Sequence, residues 1–229
     1  ILEFLGLPEK PEYSENELET KIKNYDPRIA EIEGVYYDEV LEDIILMNSK
    51  GLKLNQKSNY YDYVGVAVAK DNGQVKTNFD LILDNDYSKF DVDDLAKKVA
   101  EGALAQLGGE PCDSGNYKTV LSPDAVASLM RAYIGSADAE EVQKQSSLFR
   151  GKLGQKIASS KVTIEDRPLD KTLFGRGFDD EGVATYNKAI VKNGVLKTYL
   201  YNLTTAAKDK TTSTGNASMG AKMGVSPTY

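Results

Sequence analysis

The sequence predicts an α+β fold: an antiparallel sheet with flanking helices, followed by the start of a second, mostly antiparallel α+β domain. Three observations carry this reading. Residues 29–83 hold alternating and compact apolar runs between turn sequences, as half-buried strands do. Residues 91–107 repeat apolar side chains at helical spacing behind an acidic cap. Around Asn193-Gly194 two apolar runs face each other across a dipeptide that accepts the positive φ angles of a tight hairpin.

Taken in order, Ile1 to Pro11 opens on an apolar ILEFLGL followed by two prolines, which reads as the end of an element leading into a linker. Ser14 and Glu17 have capping-box spacing ahead of Leu18 and Ile22, so a short helix is expected there, closed by Asp26-Pro27. Val64, Val66 and Val68 alternate with smaller residues. With Ile44–Met47 and Leu81–Leu83 they form an antiparallel meander whose turns lie at Asn48–Gly51 and Asp71–Gly73. Tyr60, Tyr61 and Tyr63 fit two readings: ordinary strand residues with an apolar body and a polar tip, or a stacking and peptide-binding surface. In the helix after Asp91, Leu95, Val99, Ala103 and Leu107 mark one face, and Gly108-Gly109 end it.

Glu110 to Asn116 carries the composition of a boundary, which divides the chain into 1–112 and 113–229. Tyr117–Leu121 reads as a short strand feeding a helix that starts at Ser122-Pro123-Asp124 and runs to about Ile134. Val126, Leu129, Met130, Tyr133 and Ile134 form its apolar stripe, expected to be buried, and Gly135 stops it. Beyond it, 137–148 is helix-prone, 151–160 is a turn or small helix, and 161–164 alternates as a strand. The stretch after Ala207 is rich in Gly, Ser, Thr and Met, and both ends read as cut, as in a fragment.

Composition bounds the chemistry. The 229 residues have a net charge of −7 and a pI near 4.9, with basic residues scattered among acids, which opposes nucleic acid as a partner. No apolar run approaches the roughly 20 residues of a membrane helix, and no signal peptide is visible. The single cysteine, Cys112, forms no internal disulfide and fits a reducing, cytoplasmic setting; nothing basic flanks it to activate its thiol. There is no histidine, so these residues build no histidine triad and no HExxH-type zinc site. Asp179, Asp180 and Glu181 sit between glycines. They could ligate a hard cation or act as acid and base, or serve as a solvated loop in which a carboxylate bonds local amides.

Several ordered segments together carry a family likeness: LSPDAVASLM (121–130), VQKQSSLFRGKLGQKIAS (142–159), FDDEGVATYNKAIVKNGVLKTYLYN (178–202) and STGNA (213–217). With NSKGL (48–52) and SGNYKTVL (114–121), they make the chain resemble the TldD/PmbA family, whose members are also named as modulators of DNA gyrase. The resemblance implies a cytosolic, two-subunit metallopeptidase in which the TldD-type chain carries HExxxH on the helix after the strand. In this sequence that motif falls on Arg131 to Ser136. Arg131 and Ser136 stand at the ligand positions and Ala132 at that of the water-activating carboxylate. Arginine does not deprotonate, serine is a poor ligand and alanine offers no base. Positions five apart on an unbroken helix also diverge by about 140°, unless a stop at Gly135 swings the second one back.

The resemblance therefore implies the PmbA (TldE) branch: a chain with no catalytic residue, cofactor or metal of its own, in which Arg131, Ala132 and Ser136 are vestigial. Zinc is expected in a TldD-type partner, the substrates are peptides or unfolded proteins, and the subunit could pair with itself when alone. The alternative is a regulatory module that binds gyrase or acts on a toxin and antitoxin system, without peptidase activity. A third reading is an independent carboxylate-based metal enzyme using Asp179, Asp180 and Glu181.

Overall fold

A computed structural model describes residues 15–170, 175–219 and 225–227. The opening ILEFLGL stretch and the capping Ser14 lie outside the described residues. The chain forms two compact units. One comprises the described residues up to Glu42 with Lys57–Gly115; the other comprises Asp43–Gln56 with the described residues from Asn116 onward. Residues 43–56, which a linear division at 112/113 assigns to the first part, thus belong to the second unit.

Helix α1 (Glu15–Lys23) precedes three strands, β1 (Ile29–Met47), β2 (Lys53–Asp71) and β3 (Gln74–Asp84), in the order β1-β2-β3. The end of β1 from Asp43, the first turn and the start of β2 to Gln56 count with the second unit and the rest with the first. The first turn is built by Asn48, whose Oδ1 accepts the amides of Lys50 (2.9 Å) and Leu52 (3.1 Å), with Gly51 at a φ of 92°. The second is a two-residue turn in which Asn72 (φ 46°) and Gly73 (φ 79°) both take positive φ. That geometry matches strand twist and sets the β2/β3 register from Asp71 opposite Gln74 to Tyr61 opposite Asp84.

Helix α2 (Val92–Leu104) begins where Asp91 accepts the Asp94 amide at 2.9 Å, and Asp93 and Asp94 complement the positive end of the helix dipole. Leu95, Val99 and Ala103 pack with Leu18 and Ile22 of α1 against Tyr61, Tyr63, Ala67 and Ala69 of β2. Alternate β2 residues under the helices are small. A side chain at Gly65 would lie 2.9 Å from Ile22 Cδ1, so glycine lets the layers close. Of the three tyrosines, Tyr61 and Tyr63 are core, fully buried, with the Tyr61 ring stacked on Tyr87 at 3.8 Å, while Tyr60 is half-buried and outside that core.

The second unit holds α3 (Pro123–Ile134), a 3₁₀ turn (Gly135–Ala137), α4 (Ala139–Gln143) and a sheet of β4 (Ile164–Asp166), β5 (Lys188–Lys192) and β6 (Val195–Leu196). After α5 (Leu203–Lys208), β7 (Ala217–Met219) pairs antiparallel with β8 (Val225–Pro227). Its core gathers Ile190, Val191, Leu196 and Leu200 with Ala137 and Ala139. The β5–β6 turn has the expected positive φ at Asn193 (51°) and Gly194 (78°).

Three local expectations change and one is narrowed. No strand forms at 117–121: Val120 is 98% exposed, and among the described residues no strand lies alongside to take its backbone hydrogen bonds. Residues 151–160 take the turn rather than the helix of the two forms expected, with Gly151 and Gly154 at positive φ. The helix-prone stretch 137–148 shrinks to α4, stopped by Gln145 at a φ of 68°. The strand expected at 161–164 forms later, as Ile164–Asp166.

Candidate functional site

Helix α3 starts as its sequence dictates. Ser122 Oγ accepts the Ala125 amide at 3.2 Å, and Pro123 occupies the first turn, where its missing N–H costs nothing. Its apolar stripe differs from expectation. No residue of the helix is buried: Val126, Leu129 and Tyr133 are 41%, 49% and 51% exposed, and Ile134 at the last turn is the stripe residue that packs onto the core. Periodicity marks which face is apolar, and it does not say what lies against that face.

Arg131 and Ala132 are exposed, and Ser136 is half-buried, its carbonyl accepting a hydrogen bond from the Ser147 hydroxyl. The α-helix ends at Ile134, yet Gly135 stays right-handed (φ −53°, ψ −26°) and the chain continues as a 3₁₀ turn. At about 120° per 3₁₀ residue, positions 131 and 136 leave the axis in nearly opposite directions. An arginine, an alanine and a serine so disposed do not fit a zinc ion, which needs deprotonated nitrogen, sulfur or carboxylate donors converging on one point. Among the described residues there is also no group of three or more Asp, Glu, His or Cys that could hold a metal ion.

The acidic loop is built differently. Asp179 is 3% exposed and accepts three backbone amides: Glu181 (3.0 Å) and Val183 (2.9 Å) at Oδ1, and Ala217 (3.0 Å) at Oδ2. Asp180 turns toward Arg176, pairing at 2.8 Å, and toward the Met219 amide at 2.6 Å. Glu181 reaches the Leu203 amide at 2.7 Å, at the first residue of α5. The three carboxylates therefore point to separate partners and tie the 175–183 loop to α5 and β7. Each is occupied by donors that stabilise a negative charge, so the set offers no converging oxygens for a cation.

Residues that sequence reasoning missed complete this node. Gln56, on β2, donates to the Gly175 carbonyl (3.0 Å) and accepts the Gly177 amide (2.8 Å), copying the pairing of a neighbouring strand. Gly182 (φ 80°) sits against Leu46, Leu52 and Leu54 of the β1–β2 hairpin, leaving no room for a side chain. Nearby, a cleft of about 220 Å³ is lined by Ile44, Leu46, Arg176, Phe178, Asp180 and Met219. Lys188 and Asp166 form a partly buried ion pair at 2.7 Å, and Asn216 donates to the same carboxylate at 2.8 Å. The STGNA segment wraps Tyr201: Thr214 Oγ1 accepts the Tyr201 amide (2.7 Å), while Ser213 Oγ (3.0 Å) and the Thr214 amide (3.1 Å) donate to its carbonyl. Burial, and then the Asp209 carboxylate that accepts from it at 3.1 Å, push the Tyr201 hydroxyl up to about 12. The sequence carried a signal for α5, since Asn202 and Thr205 form a reciprocal capping box.

This α+β architecture is one found in other proteins. Residues 3–107 match the family described as the PmbA/TldA metallopeptidase central domain, and residues 114–229 match the PmbA/TldA metallopeptidase C-terminal domain. The chain belongs to the PmbA/TldD family. It is 34% identical over 182 residues to an uncharacterised protein of Methanocaldococcus jannaschii, MJ0231, covering 76% of this chain and 41% of that protein. It is 31% identical over 201 residues to the metalloprotease MJ0996 of the same organism, covering 83% and 43%. The chain thus spans less than half the length of these curated relatives. A crystal structure from Thermotoga maritima, of a protein named as a candidate modulator of a DNA gyrase (TM0727), superposes with a TM-score of 0.85 at 30% identity, over 98% of this chain and 52% of that one. TldE from Thermococcus kodakarensis shares the fold, with a TM-score of 0.75 at 22% identity over 96% of this chain and 53% of that one. Among the described residues no helix is long and apolar enough to cross a membrane.

Proposed function

We propose that this chain is part of a PmbA/TldE-type subunit that serves as the non-catalytic partner of a TldD-type metallopeptidase in the cytoplasm. The observation that carries the proposal is the frame at Arg131–Ser136. A capped helix followed by a turn is present there, none of the 229 residues is a histidine, and by the resemblance Ala132 stands where a general base would be. Zinc and the water it activates then belong to the TldD-type partner. This chain contributes the wall of a shared chamber around unfolded or small peptides, leader peptides of modified peptides among them. That Buchnera aphidicola holds relatives of both kinds, named metalloprotease PmbA homolog and metalloprotease TldD homolog, supports a pairing of two related chains.

The test is zinc content and peptidase activity of the full-length protein, alone and mixed with a TldD-type chain from the same cell. Zinc-free, inert protein that becomes part of an active mixture is the expected result, with a homodimer as the form of the isolated subunit. Zinc retention and cleavage by the protein alone would overturn the reading. The name of the Thermotoga relative supports a second one, a regulatory module that binds gyrase or a toxin and antitoxin pair. Tight binding to gyrase with no affinity for a TldD-type chain would favour it.

A further inference from the structure

The chain contains two Asn-Gly hairpin turns of the same backbone geometry, and their surroundings differ. Asn72 and Gly73 are both exposed, with φ of 46° and 79°. Among the described residues nothing outside the β2–β3 hairpin holds either one, and a side chain on Gly73 would meet nothing within 4 Å. Asn193 and Gly194 have φ of 51° and 78°, yet Gly194 is buried. Its N–H donates to the Val162 carbonyl at 2.8 Å, its carbonyl accepts from the Ile157 amide at 2.8 Å, and the Asn193 amide donates to Thr163 Oγ1 at 3.2 Å. One turn is free on every side, and the other is clamped by residues 157–163.

We propose that Asn72 is a site of spontaneous modification in the folded protein, converting through a succinimide to isoaspartate and aspartate, whereas Asn193 is protected by the fold. The Gly73 amide nitrogen loses its proton to hydroxide and attacks Asn72 Cγ. The bond from Cγ to the side-chain nitrogen breaks, and ammonia leaves with a proton taken from water. Water then opens the five-membered ring at either carbonyl, so the net change is addition of water and loss of ammonia. Glycine is the neighbour that least obstructs the attack, because it has no side chain. The attack also needs a free N–H and a backbone able to swing it toward Cγ. Among the described residues the Gly73 N–H makes no hydrogen bond and nothing outside its hairpin restrains the turn, while the Gly194 N–H is engaged and its turn is fixed at three points. Isoaspartate adds a carbon to the backbone of a two-residue loop, so the product no longer fits the pairing of Asp71 with Gln74. It also presents the chemistry read by enzymes that methylate isoaspartyl carboxyl groups.

The experiment incubates the purified chain at mildly alkaline pH, once folded and once in urea, and maps both Asn-Gly peptides by mass spectrometry. Methyl transfer from S-adenosylmethionine by an isoaspartyl methyltransferase counts the isoaspartate. In the folded chain, conversion at Asn72 is expected to run roughly tenfold or more ahead of Asn193, and in urea the two converge. Asn72→Gln removes the methyl-accepting product from the folded chain. Equal rates in the folded chain, an Asn72 that converts in urea alone, or a rate gap that survives unfolding would each overturn the proposal.

Discussion

Asp179 and Ala217, 38 residues apart in sequence, are joined by a 3.0 Å hydrogen bond from the Ala217 amide to a carboxylate that is itself 3% exposed. The same carboxylate accepts two amides of its own loop, so one side chain satisfies three backbone donors that would otherwise be stranded. Replacing it with alanine is expected to destabilise the second unit by about 3 kcal/mol, because buried donors lose a charged acceptor. Asp179→Asn keeps one acceptor oxygen and should cost less. Urea unfolding followed through tyrosine fluorescence checks the order.

Gly73 and Gly194 make a matched pair for a second prediction. An alanine at either pays the left-handed penalty of about 1–2 kcal/mol. At Gly73 that is the whole effect, since its surroundings are open. At Gly194 the new methyl group would collide with the carbonyls of Ala158 and Ser159, so Gly194→Ala should lose at least about 2 kcal/mol more than Gly73→Ala. Thermal unfolding of the two variants side by side decides it.

Tyr201 supplies a prediction about pH. Its folded hydroxyl titrates at about 12, raised from the ordinary 10.0 first by burial and then by Asp209. A group whose folded pKa is raised contributes stability that is whole below its unfolded pKa and is lost as pH rises through the folded value. The stability from this group is therefore present at neutral pH and drains away between 10.0 and about 12. Asp209→Asn should bring the titration down only in part, because burial is the larger cause. Ultraviolet titration of tyrosinate, compared with a Tyr201→Phe control, reads it directly.

At the position of the resembled zinc motif, the 3₁₀ turn after Ile134 makes a further expectation. Arg131→His combined with Ser136→His should hold zinc no better than either replacement alone, since the two imidazoles would diverge. Calorimetric zinc titration of the three variants is the check, and a cooperative gain in the double variant would contradict the geometry.

The sequence made the meander, its two turns, α2 and the β5–β6 hairpin legible, because each is fixed by local patterning and by residues that tolerate positive φ. Tyr61 and Tyr63 needed the partner element to be understood: Tyr87 stacks on the first, and nothing in the alternation of β2 foretells that. The acidic loop was visible as chemistry and opaque as structure. Asp179, Asp180 and Glu181 find their partners at Ala217, Met219 and Leu203, contacts that depend on how distant segments fold back. Gln56 was invisible for the same reason, as its amide pairs with Gly175 and Gly177 more than a hundred residues later. The exposed stripe on α3 shows the converse limit, since a regular apolar repeat says nothing of the surface that meets it.

The link from Asp179 to Ala217 also bears on the order of events in time. It closes a loop of 38 residues that holds β5, β6 and α5, and the entropy of closing that loop leads us to expect the bond to form late in folding. Contacts made after the rate-limiting step leave refolding speed almost untouched and act on the escape from the native state. A carboxylate that closes late acts as a latch: removing it is expected to shorten the lifetime of the folded second unit while leaving the rate at which it forms nearly the same, which refolding and unfolding rates of Asp179→Asn would check.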